Sequence, residues 1–194
     1  MPLRILAAYL TRSVLRKHLM EMYLNDKPKL ILNPRIGQRE KFWPASRVAD
    51  LFLKCHQDYG LELWIIAGDS DQYYVEEIAD RMGREKLNTI SLLELDTLGK
   101  ILKPYSLFIG PDSGTSRLAA SLGVPTIMLF GATRPYEWTA PPMAQVEIIC
   151  KAVSCSPCSL QEKRACRTKH CFTDISIDEV IGKVKKLVGY GEGH

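Results

Sequence analysis

The run Gly110-Pro111-Asp112-Ser113-Gly114-Thr115-Ser116 holds the residue types best suited to grip an anion. Asp or Ser at the start of a helix satisfies its orphan N–H groups. Gly114 lets the backbone come close to a ligand, and the remaining first-turn amides suit a phosphate. An ordinary capped helix with no ligand fits the same spacing. The Gly-x-Gly-x-x-Gly fingerprint of nicotinamide cofactors is missing, so a pyrophosphate is the expected anion.

A second cluster is made of thiols. Four of the six cysteines, Cys155, Cys158, Cys166 and Cys171, follow the pattern Cys-x2-Cys-x7-Cys-x4-Cys, with His170 adjacent. Four thiolates suffice for a tetrahedral zinc site, although the second pair departs from the zinc-ribbon spacing. The alternatives are an iron–sulfur cluster, or reduced thiols and adventitious disulfides within a loop. A reducing compartment disfavours structural disulfides. The segment 151–171 also carries Lys151, Lys163, Arg164, Arg167 and Lys169 against Glu162. That is a solvated loop or a surface for an anionic partner. No aromatic residues interleave with the basic ones, so nucleic acid is not an expected partner.

Such residues need elements to aim them. The segment 29–33 (KLILN) is a short apolar run ended by Pro34. Pro44 suits a first helical position. Beyond it Val48, Leu51, Phe52 and Cys55 follow the i, i+3, i+4, i+7 spacing of an amphipathic helix. The segment 61–67 (LELWIIA) is almost continuously apolar, as a strand covered on both faces is. Gly68-Asp69-Ser70-Asp71 then turns into a helix with Val75, Ile78, Ala79 and Met82 on one stripe. Residues 88–90 form a short strand, and Ser91-Leu92-Leu93-Glu94 reads as a capping box opening the next helix. The strand 106–110 (SLFIG) feeds the glycine turn, 113–122 is the following helix, and 125–130 (PTIMLF) and 146–150 are further strands. Ser176-Ile177-Asp178-Glu179 caps a terminal helix over 176–188.

This alternation predicts an α/β fold, a Rossmann-like parallel sheet with helices on both faces. Ligands of such sheets bind outside the carboxyl ends of the strands. That rule selects the loops 34–43, 68–72, 110–116 and 131–138. Residues 1–26 read as a basic, linker-like helix, and 27–194 as the nucleotide-binding domain. A chain of 194 residues suffices for one well-buried domain. A 46% hydrophobic and 25% charged composition excludes disordered and fibrous classes. The net charge of +4 is too small to indicate nucleic acid. No apolar run is long enough to span a bilayer. Arg4, Arg12, Arg16 and Lys17 interrupt the start of the chain, which therefore does not read as a signal peptide. The expected compartment is the cytoplasm.

Taken together, Asp112-Ser113-Gly114, Arg117-Leu118-Ala119-Ala120-Ser121-Leu122-Gly123, Pro125 and Phe130-Gly131-Ala132-Thr133 resemble glycosyltransferase family 9, the ADP-heptose:lipopolysaccharide heptosyltransferases. Arg39-Glu40-Lys41-Phe42-Trp43-Pro44 is similar to the family's Lys-x-Trp-Pro segment, and 91–95 to its Ser-Leu-x-Glu-Leu segment. The cysteine pattern also occurs in many members. The resemblance runs from about Lys29 to the terminal helix. It implies the C-terminal, donor-binding domain of a GT-B enzyme. Lys41 would then contact the donor phosphates, and Asp71, with Gln72 as the alternative, the ribose. Asp112, Ser113 and Gly114 would hold the diphosphate and sugar, with Gly131 and Thr133 lining the same cleft.

Two departures qualify what the resemblance implies. Arg117 stands where the family commonly has His. An arginine binds phosphate bidentately but does not transfer protons at neutral pH. The acceptor pocket and catalytic base of the family lie in an N-terminal half that this sequence does not supply, so the catalytic residue is unknown. The resemblance implies inverting transfer of heptose from an ADP-sugar to lipopolysaccharide inner core, with no cofactor required for transfer. It also implies peripheral contact with the cytoplasmic face of the inner membrane. The alternatives are a non-catalytic nucleotide-sugar-binding module and a zinc-stabilised interaction domain.

Overall fold

In the computed structural model of the chain, residues 26–35, 43–83, 87–91, 95–133, 135 and 145–188 are described. The expected helix over 1–26 and the motif residues 39–42, Lys41 among them, fall outside this set, apart from Asp26.

Leu30, Ile31 and Leu32 are all fully buried, which explains why strand β1 (Lys29–Leu32) reads as unbroken apolar sequence. Both of its faces are covered. Leu30 and Leu32 face one layer, and Ile31 faces the other. The same logic holds for β2 (Glu62–Ala67), β4 (Leu107–Pro111) and β5 (Thr126–Phe130). Each fully buried Leu, Ile or Phe contributes about 1.5–3 kcal/mol relative to exposure. Alternating faces along these strands thus fix their register strongly.

The sheet has six strands in the order β3-β2-β1-β4-β5-β6, with β3 (Leu87–Ser91) and β6 (Val146–Cys150) at its edges. Every pairing is parallel. One face is covered by α1 (Ala45–Tyr59), α2 (Gln72–Met82) and α7 (Ile177–Val188), whose Val48, Phe52, Ile78, Val180 and Val184 meet Leu63, Ile65, Ile109 and Leu129. The other face is covered by α3 (Leu95–Leu102) and α4 (Gly114–Ser121), where Leu98, Ile101 and Ala119 meet Trp64, Ile66 and Phe108.

Ser91 ends β3, paired with Ala67, while residues 92–94 of the expected capping box lie outside the described set. One local expectation changes. The cysteine-rich segment 151–171 is not wholly loop. It contains α5 (Leu160–Ala165), opened by a capping box of Ser159 and Glu162, and leads into α6 (His170–Thr173). No helix among the described residues is long and apolar enough to cross a membrane.

Candidate functional site

The chain runs from β1 outward to β3, returns to β4 beside β1, and continues outward to β6 on the other side. The helices that follow β1 and β4, α1 and α4, pack on opposite faces, which makes the carboxyl edge between these strands the switch-point crevice of the fold. In open α/β sheets this switch point is where ligands bind. Asn33 ties the two strands together: its N–H donates to the Ile109 carbonyl at 2.8 Å, and its side-chain oxygen accepts the Arg35 N–H at 3.2 Å.

On the β4 side the turn closes tightly. Ser113 is the N-cap of α4 and accepts the Ser116 N–H at 3.3 Å. The fully buried Ser116 hydroxyl donates to the Pro111 carbonyl at 2.6 Å and lies 3.0 Å from the Ser113 hydroxyl. A Cβ on Gly110 would stand 2.9 Å from both that oxygen and Phe108 Cε1, and 3.4 Å from Asn33 Cβ. Gly110 is required by this packing. Nothing lies within 4 Å of a Cβ placed on Gly114, so that residue leaves open space above the helix start.

Asp112, Arg117 and Thr133 come together at the crevice. Asp112 Oδ1 accepts from Arg117 Nε at 3.1 Å and Nη2 at 2.8 Å, and Oδ2 accepts the Thr133 hydroxyl at 2.8 Å. The carboxylate is largely covered, whereas Arg117 is 48% exposed. A guanidinium thus stands at the mouth of α4, anchored by a carboxylate that is itself held from β5. The positive end of the helix and this cation favour the same ligand, an anion.

Gly131 differs from what its place in the loop suggests. A Cβ there would lie 2.2 Å from Phe172 Cε2 and 2.6 Å from Cζ. The glycine makes room for a ring of the chain itself.

On the β2 side, Asp71 is buried at 1% exposure within a 3-10 turn (Asp69–Asp71). Its carboxylate accepts the Gly68 N–H at 2.9 Å and the Ser70 hydroxyl at 3.4 Å, and Arg35 Nε lies 3.6 Å away. In this arrangement Asp71 braces the loop from inside. Gln72, the alternative, is exposed and donates to Glu76 at 3.2 Å. Arg35 was not singled out from sequence. Its signal was an Asn-Pro-Arg directly after a buried strand, at the edge where ligands bind.

The four cysteines form one corner. Cys171 is buried, and burial, followed by the neighbouring Cys158, Cys166 and Cys155, pushes its thiol up. Cys166 is moved the other way, chiefly by the Lys169 N–H, which donates to its sulfur at 3.4 Å. Cys158 Sγ donates to the Cys155 carbonyl at 2.9 Å. No group of three or more His, Cys, Asp or Glu side chains among the described residues is arranged to hold a metal ion. Cys171 lies near enough to Cys158, Cys166 and Cys155 to feel their charge, so the four thiols expected as ligands share this corner.

An all-parallel open sheet whose strand order reverses between β1 and β4 defines a Rossmann-like domain. The model of glycosyltransferase family 9 (heptosyltransferase) matches residues 7–170, and the chain belongs to that family. It is 28% identical over 170 residues to lipooligosaccharide heptosyltransferase 2 of Campylobacter jejuni subsp. jejuni serotype O:6, covering 84% of this chain and 52% of that protein. Its fold is similar to the crystal structure of the glycosyl transferase family 9 from Veillonella parvula, with a TM-score of 0.70 and 22% identity, over 90% of this chain and 51% of that one. It is also similar to ADP-heptose lps heptosyltransferase II of E. coli, with a TM-score of 0.64 and 18% identity, over 92% and 52% of the two chains. The chain thus spans about half the length of the relatives it matches.

Proposed function

We propose that this chain is the donor-binding half of a heptosyltransferase-type glycosyltransferase and binds an ADP-sugar at the β1/β4 crevice. One observation carries this reading: Arg117, fixed by Asp112 and through it by Thr133, stands beside the N-terminus of α4 at the switch point. The diphosphate lies against the amides of Gly114 and Thr115 and the Arg117 guanidinium. Ser113 and Asp112 shape the turn, with Asp112 also within reach of a sugar hydroxyl. Lys41 adds a point charge on the phosphates. As the bond between the anomeric carbon and the phosphate oxygen breaks, negative charge grows on the departing nucleoside diphosphate. Preorganised donors at that place stabilise the charge.

Inverting transfer also needs a base to deprotonate the acceptor hydroxyl. In this reading an N-terminal half supplies that base and the acceptor pocket. The acceptor is lipopolysaccharide inner core at the cytoplasmic face of the inner membrane, where the basic 151–171 surface favours anionic head groups. A second reading, a nucleotide-sugar-binding module without catalysis, is favoured by Arg117 itself, which cannot relay a proton. Calorimetric titration with ADP and an ADP-sugar tests the binding common to both. Binding is expected in the wild type and much weakened in Arg117→Ala; absence of any heat or competition with either ligand overturns the reading. Transfer in the presence of a matching N-terminal half then separates enzyme from module.

A further inference from the structure

Phe172 belongs to a short helix that no part of the donor-site reading uses. Its ring is 4% exposed and fills the space where any side chain on residue 131 would sit. Its carbonyl accepts the indole N–H of Trp43 at 2.9 Å, and Trp43 is itself only 2% exposed. Trp43 lies two positions after Lys41 in the chain. The Trp43 carbonyl accepts the Tyr74 hydroxyl at 2.8 Å. Arg47 lies 5.7 Å from the centre of the Trp43 ring and donates to the carbonyls of Thr173 and, at 3.2 Å, Ile175. The segment before α6 grips the other loop: the Ser156 hydroxyl donates to the Gly131 carbonyl at 2.7 Å and the Cys158 N–H to the Ala132 carbonyl at 3.0 Å. One residue further, Thr133 holds Asp112.

We infer that Phe172 is a positioning residue for the donor site, acting through two joints: its ring under Gly131 and its carbonyl on Trp43. The ring sets the height of the 131–133 loop, hence the Thr133–Asp112–Arg117 chain. The carbonyl fixes Trp43, two positions after Lys41 in the chain. One residue, by its ring and its backbone, thereby ties the 131–133 loop to the residue that leads into α1 on the other side of the sheet's switch point. Nothing about Phe172 touches the ligand; it acts by placing groups that do.

The inference rests on the donor-site reading, and the experiment keeps the two apart. ADP affinity, melting temperature and amide hydrogen exchange are measured for the wild type, Phe172→Leu, Phe172→Ala and Trp43→Phe. Val184→Ala, a fully buried position on α7 away from the crevice, is the stability control. Displacing positioned groups by fractions of an ångström costs binding and rate steeply, so Phe172→Ala is expected to weaken ADP by about tenfold or more. Phe172→Leu, which restores much of the volume, recovers most of that affinity. Trp43→Phe, which removes the N–H joint together with part of the buried ring, falls between them. Val184→Ala lowers the melting temperature yet binds ADP like the wild type.

If Phe172→Ala binds ADP like the wild type while melting earlier, the inference is overturned. Equal loss of affinity in Val184→Ala overturns it too, since the effect is then general instability. Should Phe172→Ala fail to fold, the comparison of Phe172→Leu and Trp43→Phe with Val184→Ala decides. If the wild type itself does not bind ADP, the donor reading has failed. Exchange still judges the joint: the Cys158 and Asp112 amides must lose protection in Phe172→Leu or Trp43→Phe but not in Val184→Ala.

Discussion

Replacing Gly110 by alanine tests whether the turn is built by packing. The new methyl would sit 2.9 Å from the Ser116 oxygen and from Phe108 Cε1, where ordinary contacts begin near 3.4 Å. Neither neighbour yields easily. Phe108 is fully buried, and the Ser116 hydroxyl is held by its bond to the Pro111 carbonyl at 2.6 Å. Overpacking of this kind costs about 1–3 kcal/mol. Pushing the hydroxyl away leaves a buried carbonyl short of its donor, which adds about 1 kcal/mol or more. The sum, about 2–4 kcal/mol, corresponds to a fall in melting temperature of roughly 5–15 °C for a chain of this size. Denaturant unfolding of Gly110→Ala, Ser116→Ala and the double variant checks the mechanism. Removing the oxygen relieves half the clash, so the double variant should be more stable than the sum of the singles by about 1 kcal/mol. Additivity within about 0.5 kcal/mol, or a negligible cost for Gly110→Ala alone, would refute the steric account.

Thr133→Val keeps the shape but removes the hydroxyl that donates to Asp112 Oδ2. Loss of a hydrogen bond to a charged group costs about 1.5–3 kcal/mol, and ADP affinity measured by calorimetry is expected to drop with it. Glu179 is held down to about 2 from 4.5 by the Lys151 ammonium, then by the Ser176 amide and hydroxyl, with burial opposing. Because its folded value is depressed, its stabilising share is complete above 4.5 and disappears as pH falls toward 2. Melting curves of Glu179→Gln against the wild type should therefore converge in acid, and a constant gap down to pH 2 would contradict the assignment. With a disulfide reagent near neutral pH, Cys166 is expected to react ahead of Cys55, whose thiol burial pushes up to about 12. Cys166→Ser should remove the fast phase of thiol release, and an unchanged fast phase would move that role to another cysteine.

The strands were legible because an interior strand of a parallel sheet is apolar along its whole length, as 61–67 and 125–130 are. Their order was not, since nothing local in β4 says that it pairs with β1 instead of β3. The glycine turn could be located from residue types, and Ser113 could be anticipated as a cap. Asp71 was ambiguous for a physical reason: a carboxylate after a strand serves a ligand or its own loop equally well in sequence. Here it is buried and accepts the Gly68 N–H of its own loop. Gly131 was legible as a special position, but its cause lies in Phe172, a residue remote in sequence. The capping box at Ser159 and Glu162 is a local signal for α5 that lies inside the cysteine-rich segment.

The pairing of β1 with β4 brings Lys29 against Ser106, 77 residues away along the chain. Half of the crevice is thus made early in the sequence and half only after α1, α2 and α3. Contacts of such separation form late and slowly, because the loop between them must be ordered first. A folding species that had assembled only β1, β2 and β3 would hold Arg35 and Asp71 in place yet possess no pocket. In the donor-site reading, ligand retention is a reporter of completed folding, appearing when the central seam of the sheet zips shut and vanishing when that seam opens.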